Sequence, residues 1–146
     1  MSDDGPAIRL LLVEDDDDHA RLVERTLQDQ LPHSSLTRVA DGSDALSHLQ
    51  AADASDNARL PDLILLDLNL PRVSGLEVLR ELKASQSLRV IPVVVMTSSD
   101  NESDRATAYG RYANGYVVKP MDFAKFRQMI HDLGHYWGKW NARPAS

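Results

Sequence analysis

Leu63-Ile64-Leu65-Leu66-Asp67-Leu68-Asn69-Leu70-Pro71 sets one acid at the end of four consecutive apolar residues and closes on a proline. An apolar run this short, with no helical period, suits a strand covered on both faces. A carboxylate flanked by so much apolar sequence is costly to bury unpaired, so Asp67 needs a cation. Three more runs share the texture: Ile8–Val13, Val93–Met96 and Tyr116–Val118. Leu36–Val39 mixes Thr37 and Arg38 with apolar residues, as an edge strand does.

Between the runs the period becomes helical. Ala20, Val23, Leu27 and Leu31 fall on one helical face. Asp41-Gly42-Ser43 opens a second helix carrying Ala45, Leu46 and Leu49, and Ser74 caps a third with Leu76, Leu79 and Leu82 on one side. Asp100 to about Ala108 is a fourth. Asp122 caps a fifth whose Phe123, Phe126, Ile130 and Leu133 face inward. Strand and helix thus alternate five times, which implies an α/β fold: a doubly wound parallel sheet with helices on both faces. The 146 residues fit one domain, here 7–133, with a flexible tail over 1–6 and an extension of the last helix or a tail over 134–146. Ala52–Leu60 is the longest polar connection and reads as an exposed loop.

Composition narrows the function. A net charge of −6 and no basic run make nucleic acid a poor partner, since such binding depends on Lys and Arg neutralising phosphates. The apolar runs are far too short to span a bilayer, and the polar, acidic first residues lack the features of a signal peptide, so the cytoplasm is the expected location. There is no cysteine, hence no disulfide and no thiolate metal site.

In a parallel sheet the carboxyl ends of the strands lie at one edge, where open α/β sheets bind ligands at the reversal of strand order. Glu14 and Asp15, Asp67, Thr97 and Lys119 all follow strands and meet there. Asp17 and Asp18 read instead as an acidic first helical turn. Asp67 and Lys119 could form a structural ion pair. The functional alternative uses the whole set. Mg²⁺ favours one or two carboxylates with waters and a phosphate oxygen, which Glu14, Asp15 and Asp67 suit. An Asp carboxylate can attack phosphorus. Lys119 would then offset charge on the phosphoryl oxygens, and Thr97 would hydrogen-bond one of them.

These residues sit in Leu12-Val13-Glu14-Asp15, Leu66-Asp67-Leu68-Asn69-Leu70-Pro71, Gly75, Met96-Thr97-Ser98 and Gly115-Tyr116-Val117-Val118-Lys119-Pro120. In that order, the chain resembles the receiver domain of two-component response regulators from about Ile8 to Leu133. The resemblance implies a flavodoxin-like (βα)5 fold with strand order 2-1-3-4-5. It implies Asp67 as phosphoacceptor, Asp15 and Asp67 as Mg²⁺ ligands, the Asn69 backbone carbonyl as a third, and Glu14 acting through water. It makes Thr97 and Lys119 the phosphate-binding pair, Thr97 and Tyr116 the switch, and the peptide bond before Pro120 cis. Ser98 stands where Ala or Gly is common, which implies a slightly tighter pocket. The resemblance further implies a phosphoacceptor rather than an enzyme, with a sensor histidine kinase as partner, and because the sequence ends about a dozen residues past the last core helix a stand-alone regulator is expected. Leu68-Asn69-Leu70-Pro71-Arg72, Thr97-Ser98-Ser99-Asp100 and Tyr136-Trp137 are similar to regulators paired with bacterial phytochrome kinases.

Two other functions stay open. A Mg²⁺-dependent phosphohydrolase with an aspartyl nucleophile usually needs a second acid for the leaving group, and Asn69, two beyond Asp67, cannot serve. A degenerate receiver acting as a scaffold would have no use for the intact acidic cluster. Met129, Leu133, Tyr136 and Trp140 repeat at helical spacing and, with Trp137, suggest a homodimer seam if the last helix continues. Gly134 and Gly138 would instead end it and let the tail fold back on its own domain. His131 and His135 lack a third metal ligand, and His19, His33 and His48 read as surface residues.

Overall fold

Within the first strand, β1 (Arg9–Val13), Leu10 and Leu12 pack on one face of the sheet while Leu11 and Val13 pack on the other. The same split holds in β3 (Leu63–Leu66) and β4 (Val93–Thr97): Leu63, Leu65, Val94 and Met96 join one core, and Ile64, Leu66, Val93 and Val95 the second. Strands buried on both faces need no polar alternation, which is why these runs are continuously apolar. The computed structural model describes residues 7–55 and 59–143, so the expected tail over 1–6 lies outside it.

The remaining elements are α1 (Asp17–Gln30), β2 (Ser35–Val39), α2 (Gly42–Ala54), α3 (Gly75–Ala84), α4 (Glu102–Gly110), β5 (Gly115–Val118), α5 (Phe123–His135) and a π-helical turn over Tyr136–Trp140. All strand pairs are parallel, in the order β2-β1-β3-β4-β5. The first core holds Ala20, Val23 and Leu27 of α1 with Phe126 and Ile130 of α5. The second holds Ala45 and Leu49 of α2, Val78, Leu79 and Leu82 of α3, and Ala108 of α4. Asp16, Asp41, Ser74, Asn101 and Asp122 cap the five helices by accepting backbone N–H bonds. No helix among the described residues is long and apolar enough to cross a membrane.

Three expectations are corrected, and one alternative left open is decided. β5 is not buried on both faces: it is the second edge strand, and its residues are half-buried or exposed. Phe123 does not face inward but is 61% exposed. No cis peptide bond occurs among the described residues, so Lys119–Pro120 is trans, the form X–Pro bonds favour by about 0.5–1 kcal/mol. Finally, the glycines do not end the last helix. A Cβ on Gly134 would lie 2.2 Å from Gln30 Oε1 and 2.8 Å from Leu27 Cδ2, and one on Gly138 would lie 2.7 Å from Leu31 Cδ1. The two glycines let α5 and its π turn close directly onto α1. That packing offsets the helix-propensity cost of about 1 kcal/mol each.

Candidate functional site

The hydrogen-bond ladder runs one residue past the strands. Glu14 N–H donates to Val39 O at 3.0 Å, Asp67 N–H to Val13 O at 3.0 Å, and Lys119 N–H to Thr97 O at 2.8 Å. Glu14, Asp67 and Lys119 therefore all leave the sheet at its carboxyl edge. Glu14 and Asp67 continue the alternation of Leu10-Leu12 and Leu63-Leu65, which places them on the α1/α5 side. Thr97 continues Val93-Val95 toward the α3/α4 side.

Lys119 Nζ donates to Glu14 Oε1 at 2.5 Å and to Asp67 Oδ2 at 2.8 Å. All three residues are buried, with Glu14 0% and Asp67 5% exposed. Asp67 Oδ1 accepts the Asn69 N–H at 3.1 Å, and Glu14 Oε2 accepts the Asp16 N–H at 3.2 Å. Burial pushes the Glu14 carboxyl up to about 7 despite its bond to Lys119. Burial acts the same way on Asp67, but the Lys119 bond and charge and the Asn69 N–H together hold it below its ordinary value. Burial would lower Lys119, yet the two carboxylates raise it. One ammonium thus faces two buried carboxylates, and the uncompensated negative charge favours a second cation.

Glu14, Asp15 and Asp67 each offer a carboxylate oxygen within 4.8 Å of the others. Asp15 is exposed while its companions are buried, so the cluster opens to solvent on one side. Three hard oxygen donors with open access fit a small divalent cation such as Mg²⁺. Asn69, whose backbone carbonyl the resemblance adds to this set, is exposed two residues after Asp67. Gly75 explains its place in the motif: a Cβ there would lie 2.2 Å from Asp67 O and 2.6 Å from Leu68 Cα. Only glycine lets α3 seat itself against the backbone that carries Asp67.

Thr97 is fully buried, and its Oγ1 accepts the Ser99 N–H at 3.3 Å. Tyr116 OH donates to Ser99 O at 2.9 Å, and burial raises its hydroxyl above the ordinary tyrosine value. Both residues of the expected switch pair are therefore fastened to one backbone unit, Ser99. Arg105 of α4 lies over the Tyr116 ring at 5.9 Å from its centroid. Ser98 between them is exposed.

Two residues at the site escaped the sequence reading. Arg38 of β2 donates Nε–H to Glu14 O at 2.9 Å and pairs Nη1 with Asp17 at 2.9 Å, tying the edge strand to the acidic loop. His19, read as a surface residue, sets Nδ1 3.0 Å from Lys119 Nζ and its ring edge-on to Phe126 at 5.2 Å. Neither has a local signal, since their partners lie 24 and 100 residues away. The C-terminal seam residues divide: Met129, Leu133 and Trp137 pack partly buried on the α1/α5 core, while Tyr136 and Trp140 are 52% and 70% exposed.

Residues 10–131 match the family model of the response regulator receiver domain. The response regulator Rcp1 of Synechocystis sp. is 37% identical over 147 aligned residues, covering 100% of both chains. Its Mn²⁺-bound crystal structure superposes with a TM-score of 0.88 over 94% of this chain and 99% of that one. The phosphorylated cyanobacterial phytochrome response regulator RcpA is 34% identical, with a TM-score of 0.90 over 96% and 100% of the two chains. A protein of Methanothrix harundinacea named "Probable methanogenesis regulatory protein FilR2" is 38% identical over 136 residues, or 93% of this chain and 87% of that one.

Proposed function

The chain belongs to the family of response regulator receiver domains, and from that membership we propose that Asp67 accepts a phosphoryl group from the phosphohistidine of a sensor histidine kinase in the cytoplasm, with Mg²⁺ bound beside it. The observation that carries this reading is the setting of Asp67: a buried carboxylate between Lys119 and the open face of the Glu14–Asp15–Asp67 cluster. A carboxylate oxygen of Asp67 attacks phosphorus, the bond from phosphorus to the imidazole nitrogen breaks, and its electron pair returns to the imidazole. Bound Mg²⁺ supplies charge neutralisation for the phosphoryl oxygens. Glu14, Asp15, Asp67 and the backbone carbonyl of Asn69 would hold it, Glu14 through water. Lys119, already bonded to Asp67, would neutralise charge on a phosphoryl oxygen carried there.

Thr97 and Tyr116 carry the change outward in this reading. The Thr97 hydroxyl would donate its O–H to a phosphoryl oxygen, and its movement toward that oxygen would draw Oγ1 away from the Ser99 N–H it accepts from. Release of Ser99 then loosens the carbonyl that Tyr116 holds, shifting a population between two arrangements of the surface around α4 and β5. A phytochrome-type kinase is the proposed donor, supported by the likeness to RcpA. The proposal extends to a homodimer whose contact is the C-terminal aromatic face: exposed Tyr136 and Trp140 over Met129 and Trp137.

Incubation with acetyl phosphate and Mg²⁺ should add one phosphoryl group per chain by mass. Asp67→Asn should add none. Equal labelling of that variant would defeat the assignment, and continuous turnover of many phosphate esters would favour a phosphohydrolase instead.

A further inference from the structure

An ammonium group has three N–H donors. Two of those on Lys119 go to Glu14 Oε1 at 2.5 Å and Asp67 Oδ2 at 2.8 Å. The third contact is His19 Nδ1 at 3.0 Å. We propose that His19 is a positioning residue for Lys119, its Nδ1 accepting the third N–H so that a single N–H remains aimed at Asp67 and the incoming phosphoryl group. The proposal rests on the phosphoacceptor reading of Asp67 and adds a residue to it.

The ring is held well enough to do this. His19 lies in the first turn of α1, where its backbone N–H donates to the capping Asp16 Oδ1 at 3.0 Å. The ring stands edge-on to buried Phe126 of α5, at 5.2 Å and 77°. Its far nitrogen, Nε2, lies 3.9 Å from Asp16 Oδ2. Because the Lys119 ammonium can only donate, Nδ1 must present its lone pair, and the ring proton belongs on Nε2.

The consequence for the reaction follows from the lysine stem. A lysine is a point charge on four flexible carbons whose three donors rotate freely. Were the third N–H left to water, the ammonium could turn about its last bond and slide between Glu14 and Asp67. With His19 in place each donor has a fixed target. The N–H now on Asp67 Oδ2 is the one that meets a phosphoryl oxygen as charge develops there, while Glu14 and His19 keep the other two. His19 touches neither the acceptor oxygen nor the metal cluster, so its effect falls on the rate of transfer and not on metal binding.

The test compares the parent, His19→Leu and His19→Asn. Leucine keeps an apolar contact with Phe126 and removes the acceptor, whereas the asparagine amide oxygen stands near the place of Nδ1. With acetyl phosphate and saturating Mg²⁺, His19→Leu should lower the saturating labelling rate about tenfold. Half-saturation by acetyl phosphate and the dissociation constant for Mg²⁺ should stay within about twofold. His19→Asn should recover most of the rate. Nitrogen NMR of the parent in mildly alkaline buffer should show Nδ1 unprotonated and Nε2 protonated. Equal rates in all three proteins would overturn the proposal. So would an asparagine variant as slow as the leucine variant, or a protonated Nδ1. If the leucine variant does not fold, the asparagine rate and the NMR signal decide. A parent that is never labelled would sink the phosphoacceptor reading, and the ring-nitrogen signals would still decide the contact with Lys119.

Discussion

Glu14 and Asp67 share Lys119, and the proton balance between them shapes how the metal-free protein responds to pH. Burial raises Glu14 from 4.5 to about 7. A group whose folded pKa exceeds its unfolded value favours the fold below the unfolded value and loses that contribution as pH rises through the folded one. In chelator, the Glu14 contribution should therefore fall between pH 4.5 and about 7, and Glu14→Gln should flatten that part of the profile. Asp67 lies outside this window: its depressed pKa gives stability that is present above 3.8 and lost as pH falls through its lower folded value. Urea melts of both proteins at several pH values would measure the slope. The same fall in stability in both would place the proton elsewhere. Sequence supplied Glu14, Asp67 and Lys119 because acids and a lysine at strand ends are unusual. It supplied nothing for His19, since a lone histidine in an acidic helical turn looks like any solvated one.

Two junctions between elements are built on close approach or unusual backbone. Gly75 begins α3 with its Cα against the Asp67–Leu68 backbone, and its N–H donates to Leu68 O at 2.9 Å. Gly75→Ala should cost about 1–3 kcal/mol by overpacking. Because the displaced atoms belong to the backbone of the proposed acceptor, it should also slow labelling of Asp67. Denaturant melts and mass spectrometry read the two effects. An alanine variant equal to the parent in both would mean that α3 can shift without moving Asp67. At the end of α4, Tyr112 N–H donates to Tyr109 O and Ala113 N–H to Ala108 O, each at 3.0 Å. This is a Schellman closure with tyrosine, at φ 68°, where glycine is usual. Tyr112→Gly should raise stability by up to about 1 kcal/mol, the scale of the left-handed penalty for a side chain. A lower denaturation midpoint would show that the exposed Tyr112 ring contributes more than its backbone costs.

For the whole molecule, the C-terminal turn is part of the fold rather than an appendage. Trp137 packs on the α1/α5 core, and Gly138 lies against Leu31. Trp137→Ala should cost about 2–3 kcal/mol, somewhat below the range for a fully buried tryptophan because this ring is only partly covered. Trp140, 70% exposed, should tolerate alanine within about 0.5 kcal/mol. The two roles separate in solution. Thermal melts should respond to Trp137, whereas sedimentation should show a weaker homodimer in Trp140→Ala. Monomers throughout, in parent and variant alike at tens of micromolar protein, would remove the proposed dimer.

The element order and the two-faced burial of β1, β3 and β4 were legible in the sequence because burial period is a local property: a strand covered twice must be apolar at every position, and each helix must show one stripe. The acidic ends of those strands were legible for the same reason. What required the tertiary structure was everything that depends on which atoms of distant segments meet. The pairing of Lys119 with Asp67 was expected, but its bonds to His19, 100 residues away, and to Glu14, 105 away, were not. The edge position of β5 followed from the strand order expected by resemblance, and it is this position, not the apolar texture of the run, that sets its partial exposure. Phe123 proved exposed although it shares the spacing of the buried Phe126 and Ile130. Gly134 and Gly138 carried the last helix onward because contact with α1 outweighed a propensity that sequence registers one residue at a time.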